Sequence, residues 1–253
     1  MGQLDGRVAL ITGSGSGMGR AHAMVMAERG ARIIVHDIDA EGAQETAAAL
    51  RGKGHEPLMI LADIADVGAM RTAIAGAEAE AGRIDILVNN AGIGGGAVLL
   101  EDIDEAAYDR MFDIHVKGAF FATQAVIPGM KRRGCGKIVN IASVEGMVAV
   151  ASRPHYCGAK AALLGLTKAW AKEFAPWKIC VNCVAPGWVM TAMVRAFSDE
   201  EWRRKHQEAE IPLNRYAEPE EISALVSFLA SAEADFITGQ TISPNGGQVI
   251  VGI

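Results

Sequence analysis

The segment RVALITGSGSGMGRAHAMVMAERG, residues 7–30, decides how the rest of the chain is arranged. Its first half, 7–12, is a short apolar run that reads as a buried strand, and the Ala- and Met-rich stretch from about residue 17 reads as a helix. Between them Gly13, Gly15, Gly17 and Gly19 alternate with Ser14, Ser16 and Met18. Glycine lets a backbone turn sharply and lets a bound group come close, while the free N–H groups at a helix start favour an anion. The spacing is T-G-x-x-x-G-x-G, which differs from the G-x-G-x-x-G dinucleotide fingerprint. A glycine cluster alone reads equally well as a flexible turn. Its place between strand and helix favours a cradle for a pyrophosphate.

Working outward, the same alternation repeats along the whole chain. Short β-branched runs at 7–12, 32–37, 57–62, 84–89, 137–141, 179–184 and 241–243 predict seven strands. Amphipathic or Ala-rich stretches at 17–29, 39–52, 66–81, 104–132, 155–174 and 218–230 predict the helices, with Asp39 and Asp66 as caps. Strand, helix, strand in succession implies parallel pairing through right-handed crossovers. The expected fold is therefore a doubly wound α/β domain, a mainly parallel seven-stranded sheet with helices on both faces. Ligands of such sheets bind beyond the carboxyl ends of the strands.

The chain has 253 residues, 50% of them hydrophobic and 21% charged, enough for a large core. No linker or charge block divides it, which predicts one domain over 1–253. A net charge of -6 argues against nucleic acid as a partner, the basic run Lys131-Arg132-Arg133 being too short to alter this. The N-terminal stretch contains neither a secretory apolar region nor a membrane span, so a cytoplasmic protein is expected. Four cysteines do not make a disulfide framework, and a reducing compartment fits. Cys180 and Cys183 form a C-x-x-C within a strand pattern, where residues three apart face opposite ways. No metal site is predicted.

The second strand ends in Val35-His36-Asp37, where a carboxylate can accept hydrogen bonds from the adenosine ribose and repel a 2′-phosphate. Asp37 thus favours NAD over NADP, with Ile38 beside it, although Asp37 or Asp39 could also simply cap the next helix. Arg20 is the nearby cation that keeps NADP as the lesser reading.

Further motifs follow in order: Asp63-Ile64 after the third strand, Asn89-Asn90-Ala91-Gly92 after the fourth, and Ser143 after the fifth. Then come Tyr156-Cys157-Gly158-Ala159-Lys160, Pro186-Gly187 with Thr191, and Asn245-Gly246-Gly247. With the glycine loop, this series resembles the short-chain dehydrogenase/reductase family over essentially the whole length, in its roughly 250-residue form that includes bacterial 3-oxoacyl thioester reductases. The resemblance implies that Gly13, Ser16, Gly17, Met18 and Gly19 meet the cofactor pyrophosphate. It implies that Asp63 and Ile64 contact adenine, Asn90 a ribose, and Val189 with Thr191 the nicotinamide carboxamide. As alternatives, Asp63 could cap a loop, Asn90 form a turn and Thr191 cap a helix.

Moving a hydride to or from an alcohol carbon requires a group that takes and returns the hydroxyl proton. Tyr156 and Lys160 lie four apart on one helix face, so an ammonium can favour a nearby phenolate and make the phenol easier to ionise. A Tyr and Lys at this spacing is also a common surface pair. Ser143, thirteen residues earlier at a strand end, is at the family interval and can donate a hydrogen bond to the substrate oxygen. By resemblance Lys160 also holds the nicotinamide ribose. His115 departs from the family pattern, which has asparagine there in a proton relay. Three readings stand: the relay uses the backbone carbonyl, His115 itself shuttles protons, or catalysis is impaired.

The segment 188–214, with Trp188, Met190, Met193, Val194, Phe197 and Trp202, has the apolar character of a substrate lid. Glu145, Met147 and His155 flank the serine and tyrosine, and with Trp188 they are candidate substrate contacts. A carboxylate at 145 suits a second hydroxyl or an amine, pointing to a polyol, a cyclic alcohol or a hydroxylated aromatic. Arg203-Arg204-Lys205 could meet an anionic carrier or face water. The expected function is an NAD-dependent secondary-alcohol dehydrogenase or carbonyl reductase, with a 3-oxoacyl-thioester ketoreductase and a non-catalytic dinucleotide sensor as alternatives. By family analogy the expected assembly is a homotetramer, or a homodimer, through helices 104–132 and 155–174 and the C-terminal segment.

Overall fold

A computed structural model of the protein describes residues 2–251, apart from the side chains of Met193 and Phe197. Those two lid positions therefore lie outside the described residues. Seven strands are present: β1 (Val8–Thr12), β2 (Arg32–Asp37), β3 (Leu58–Leu61), β4 (Ile86–Asn89), β5 (Gly136–Ile141), β6 (Ile179–Val184) and β7 (Thr241–Ile242). They form one sheet in the order β3-β2-β1-β4-β5-β6-β7, every pair parallel. The chain order reverses between β1 and β4, the switch point at which a doubly wound, Rossmann-like sheet opens a crevice.

The helices are α1 (Gly17–Glu28), α2 (Ala40–Gly52), α3 (Val67–Ala81), α4 (Glu105–Phe112), α5 (Ala119–Arg133), α6 (Glu145–Val148), α7 (Pro154–Phe174), α8 (Ala192–Phe197), α9 (Glu200–Glu210) and α10 (Pro219–Ala230). Asp39 and Asp66 cap α2 and α3 through their carboxylates, which accept from Glu41 N and Gly42 N and from Ala69 N. Strands this deeply buried are apolar on both sides, and the period of two divides them between two cores. Ala9 and Ile11 join Ala23, Met26, Ile222 and Val226 on the α1 and α10 face. Val8 and Leu10 join Ile74, Val126, Met130 and Trp170 on the α3, α5 and α7 face. Between β4, β5 and the helices a buried polar chain runs from Thr123 to Asn89 (3.0 Å), on to Asn140 (2.8 Å), and to Thr167 (2.8 Å). Asn89 donates to both Thr123 and Asn140, and Asn140 to Thr167, so this chain fixes side-chain orientation next to the crevice.

The structure differs from the sequence reading in three places. The helix expected over 104–132 is two helices joined by a π-helical turn, Asp113–Gly118. Gly118 passes so close to Ile64 that an added Cβ would lie 2.6 Å from its Cγ1. The residues after β5 form the short α6, which carries Glu145. The segment 188–214 contains α8 and α9; α9 is capped by Asp199, packs Trp202 and His206 against Trp188, and carries the pairs Arg204–Glu208 and Lys205–Glu201. Arg204 and Lys205 are thus paired within their own helix, and Arg203 donates to Ser198. Among the described residues no helix is long and apolar enough to cross a membrane.

Three imidazoles are buried and neutral: burial pushes His22 down to about 3, His36 to about 4 and His115 to about 3, from 6.5. Below pH 6.5 the unfolded chain therefore takes up protons that the folded chain refuses, so stability falls as pH drops. Each site contributes a slope of about 1.4 kcal/mol per pH unit in that window. Urea midpoints measured at pH 7 and 5.5 should be clearly lower at 5.5; equal midpoints would show that the imidazoles are not sealed.

Candidate active site

Beyond the carboxyl ends of β1 to β4 lies a cavity of about 340 Å³. Gly13, Ser16, Gly17, Met18 and Gly19 line it on one side, and Asp37, Ile38, Asp63, Ile64, Asn90 and Thr191 line the rest. Gly17 adopts φ +52, a left-handed conformation that costs a side chain energy. At Gly19 an added Cβ would stand 2.0 Å from the Gly13 carbonyl oxygen. Positions 17 and 19 of the loop therefore admit no side chain. Ser16 stands at the N-cap of α1 and its hydroxyl makes no capping bond, leaving first-turn N–H groups toward the cavity. Backbone donors, a helix start and a carboxylate on the next strand fit the two phosphates and the ribose of a dinucleotide.

Asp37 is held from two sides, Oδ2 accepting from Gly15 N at 2.8 Å and Oδ1 from Asp39 N at 3.0 Å. Asp39 is the cap of α2 and Asp37 is not. Arg20 turns away behind the loop, donating to the Gly15 carbonyl, Thr46 (2.9 Å) and Glu45 (2.7 Å). Asn90 lines the cavity, but its amide nitrogen donates to the Thr12 and Gly13 carbonyls at 2.9 and 3.1 Å.

On the β5 side the structure brings Ser143, Tyr156 and Lys160 together. Ser143 follows β5, and its hydroxyl lies near enough to the Tyr156 phenol to favour its ionisation. Lys160, one turn along α7, is buried with Nζ donating to the Ile141 carbonyl at 2.8 Å and standing 5.6 Å from the Tyr156 ring centroid. A hydroxyl, a phenol and an ammonium are thus gathered beyond the end of β5.

Comparison with known proteins decides the family. A family model described as enoyl-(acyl carrier protein) reductase matches residues 13–248. The chain is 37% identical to a 3-oxoacyl-[acyl-carrier-protein] reductase of Thermotoga maritima, covering 98% of this chain and 100% of that one. It belongs to the short-chain dehydrogenase/reductase family. It is 38% identical to a cis-4-hydroxycyclohexanecarboxylate dehydrogenase of Sinomonas cyclohexanicum, over 97% of each chain. A gluconate 5-dehydrogenase of Burkholderia cenocepacia, solved with NADP and tartrate, matches with TM-score 0.91 and 37% identity, over 97% of this chain and 96% of that one. This short-chain dehydrogenase/reductase is accordingly an oxidoreductase that uses a nicotinamide cofactor on a small molecule.

Within that family frame, the ionisation of Tyr156 runs against the expectation from sequence. Burial, then the charge of Glu145, pushes the phenol up to about 12, although the Ser143 hydroxyl and Arg153 pull it down. Lys160 does not offset this: burial lowers it to about 8, and its ammonium is directed at a carbonyl. Glu145 heads α6, its N–H donating to Ser143 Oγ at 3.1 Å and its carboxylate 3.5 Å from Arg153. Burial raises its carboxyl above the usual range, against the pull of Arg153.

The side chain of His115 is spent on a backbone. Nε2 lies 3.0 Å from Ile93 N and 2.9 Å from Ile93 O, and the ring stands edge-on to Tyr156 with 5.6 Å between centroids. Burial first, then the Lys160 charge, keeps the imidazole neutral. His155, on the same helix as Tyr156, is buried against the loop at Gly95. Trp188 packs away into the lid, stacked on Tyr216 at 5.5 Å and edge-on to His206 at 4.6 Å. Thr191 does two things: it lines the cavity and caps α8 by accepting from Val194 N. Val189 is buried and pairs with Ala217 in a short bridge.

Sequence reasoning passed over Arg110, His36 and Arg153. Arg110 lines the cavity and pairs with Asp63, and His36 accepts from Gly13 N at 3.3 Å beneath the loop. No local pattern joins residues 47 apart, as Arg110 and Asp63 are; the position of His36 beside Asp37 at a strand end was the one available signal.

Replacing His115 with Asn, whose amide also offers a donor and an acceptor to Ile93, should leave turnover within several-fold, and His115→Ala should lose more. The wild-type pH–rate profile should show no limb near 6.5 from this imidazole. A loss in His115→Asn beyond a hundred-fold would instead give the ring a role in proton transfer.

Proposed function

We propose that this protein is an NAD-dependent dehydrogenase of secondary alcohols, or carbonyl reductase, working as one dinucleotide-binding catalytic domain over 1–253 with a lid over about 188–214. The observation that carries the cofactor choice is Asp37: its carboxylate is fixed in the cavity by two N–H groups while Arg20, the nearby cation, is bound to Glu45 and Thr46 behind the loop. A charge held there accepts from ribose hydroxyls and repels a 2′-phosphate. The NADP in the Burkholderia gluconate 5-dehydrogenase structure marks the alternative that this carboxylate disfavours.

When bound, the nicotinamide ring gives or takes the hydride. Tyr156 exchanges the proton with the substrate oxygen, and Ser143 donates to that oxygen as charge develops on it. Lys160 holds the nicotinamide ribose, its ammonium standing 5.6 Å from the centre of the phenol ring. His115 keeps the Ile93 loop against this group. Glu145, Arg153 and His155 form the substrate side, and an acceptor beside a donor suits hydroxyl groups, which do both. A polyol, a cyclic alcohol or a hydroxylated aromatic fits; the relative from Sinomonas carries the name of a cyclic-alcohol dehydrogenase. The reductase from Thermotoga favours a second reading, a 3-oxoacyl-thioester ketoreductase. A non-catalytic sensor is disfavoured because Ser143, Tyr156 and Lys160 are all present and adjacent. A cytoplasmic homotetramer, or homodimer, is the proposed working form.

The test is nicotinamide absorbance with NAD or NADP over secondary alcohols and polyols, and with NADH or NADPH over ketones and thioesters. NAD-linked turnover that falls at least a hundred-fold in Tyr156→Phe is expected; a clear preference for NADPH and thioesters would replace this reading with the second. Since the Glu145 charge raises the Tyr156 phenol, Glu145→Gln should move the acid limb of the oxidation profile to lower pH. An unmoved limb would mean that Tyr156 does not set it.

A further inference from the structure

The far end of the cofactor cavity holds a cation whose place there is not explained by stability alone. Arg110 leaves α4 shortly before the π-helical turn and lines the cavity together with Ala62, Asp63, Ile64 and Ile114. One terminal nitrogen donates to Asp63 Oδ2 at 3.0 Å, while Asp63 Oδ1 accepts from Ala65 N at 2.9 Å. The side chain is nevertheless 48% exposed and lines the cavity. Burial raises the Asp63 carboxyl, but the Ala65 N–H and Arg110 outweigh it and keep the group below the usual carboxylate range. The pair is therefore charged at any working pH, and an exposed pair of this kind contributes little to stability.

The strand order says which part of a dinucleotide reaches Arg110. The glycine loop follows β1, Asp37 ends β2 and Asp63 follows β3, in that order toward the sheet edge. With phosphates on the loop and a ribose at Asp37, the purine base lies over the end of β3. Apolar Ile64 and Ala62 line the cavity together with Arg110. A guanidinium is planar, weakly hydrated and stacks on aromatic faces, and an ammonium does not offer the same plane.

We propose that Arg110 is a cofactor-contact residue that forms one wall of the adenine site, its guanidinium stacking on the base while Asp63 holds it in place. This rests on the nicotinamide cofactor of the family and on neither the NAD preference nor the substrate class argued above. It makes a half-exposed side chain on α4, with no part in hydride or proton transfer, a determinant of cofactor affinity.

Calorimetric titration of the whole protein with ADP-ribose and, separately, with nicotinamide mononucleotide tests it in wild type, Arg110→Met and Arg110→Lys. ADP-ribose should bind roughly five- to thirty-fold more weakly to Arg110→Met. Most of that loss should persist in Arg110→Lys, which keeps an ion pair to Asp63 but has no plane. Nicotinamide mononucleotide should bind all three alike, and in turnover the KM for cofactor should rise with kcat unchanged. Full recovery in Arg110→Lys would reduce Arg110 to positioning Asp63, and an equal loss for both ligands would trace the effect to the fold. Unchanged ADP-ribose binding in Arg110→Met would also overturn the proposal. Failure of the NAD reading would leave these binding results as they are, because ADP-ribose carries no 2′-phosphate and no substrate is present.

Discussion

The hydroxyl of Thr12 is the point from which the site hangs. It accepts from both Asn90 N and Ala91 N at 3.0 Å, and the Asn90 side chain returns two bonds to the Thr12 and Gly13 carbonyls. The loops after β1 and β4, neighbours at the switch point of the sheet, are thereby locked edge to edge. A glycine loop alone would be mobile, since its residues lose more freedom on ordering than any others. Clasped to β4 on one side and supported by His36 from β2 beneath, it becomes a rigid set of N–H donors with no side chain at positions 17 and 19. The direction of α1 follows from this, and so does the position of Asp37, which bonds the same loop through Gly15.

Burial acts on the inner groups in a single sense, favouring the neutral form of each: Tyr156 rises, Lys160 and His115 fall. The charges that remain near the phenol are Glu145, Arg153 and the weakened ammonium. Burial thus favours the phenol over the phenolate at Tyr156, and Arg153 is the full cation left to oppose it.

The fold was legible in the sequence because parallel strands buried on both faces and helices with an apolar face leave periodic traces, and because Asp39 and Asp66 announce helix starts. Ser143, Tyr156, Lys160 and the glycine loop were legible from spacing and order, and the structure brings the three side chains into one group. Other features left no such trace. The π-helical turn depends on the close pass of Gly118 by Ile64, a contact between segments distant in sequence. α9 packs by Trp202 and His206, one turn apart, and is otherwise held by a cap and ion pairs, too thin an apolar stripe for a pattern search. The burial that raises Tyr156 is likewise absent from spacing, which gives the direction of Lys160 along the helix but not the Ile141 carbonyl that engages its ammonium.

The segment after Pro186 leaves the sheet and comes back to its own beginning, where Met190 N donates to Ala217 O and Ala217 N to Trp188 O. Inside that loop Trp188, Trp202, His206 and Tyr216 pack on one another, with Val194 and Ile211 buried beside them. This part of the chain thus carries a small interior of its own, distinct from the two cores that flank the sheet. It is tied back to the body where Leu213 N donates to Gly246 O and Arg215 pairs with Glu221 of α10. Side chains of that third interior can therefore vary while the two cores that hold the cofactor loop keep their own packing.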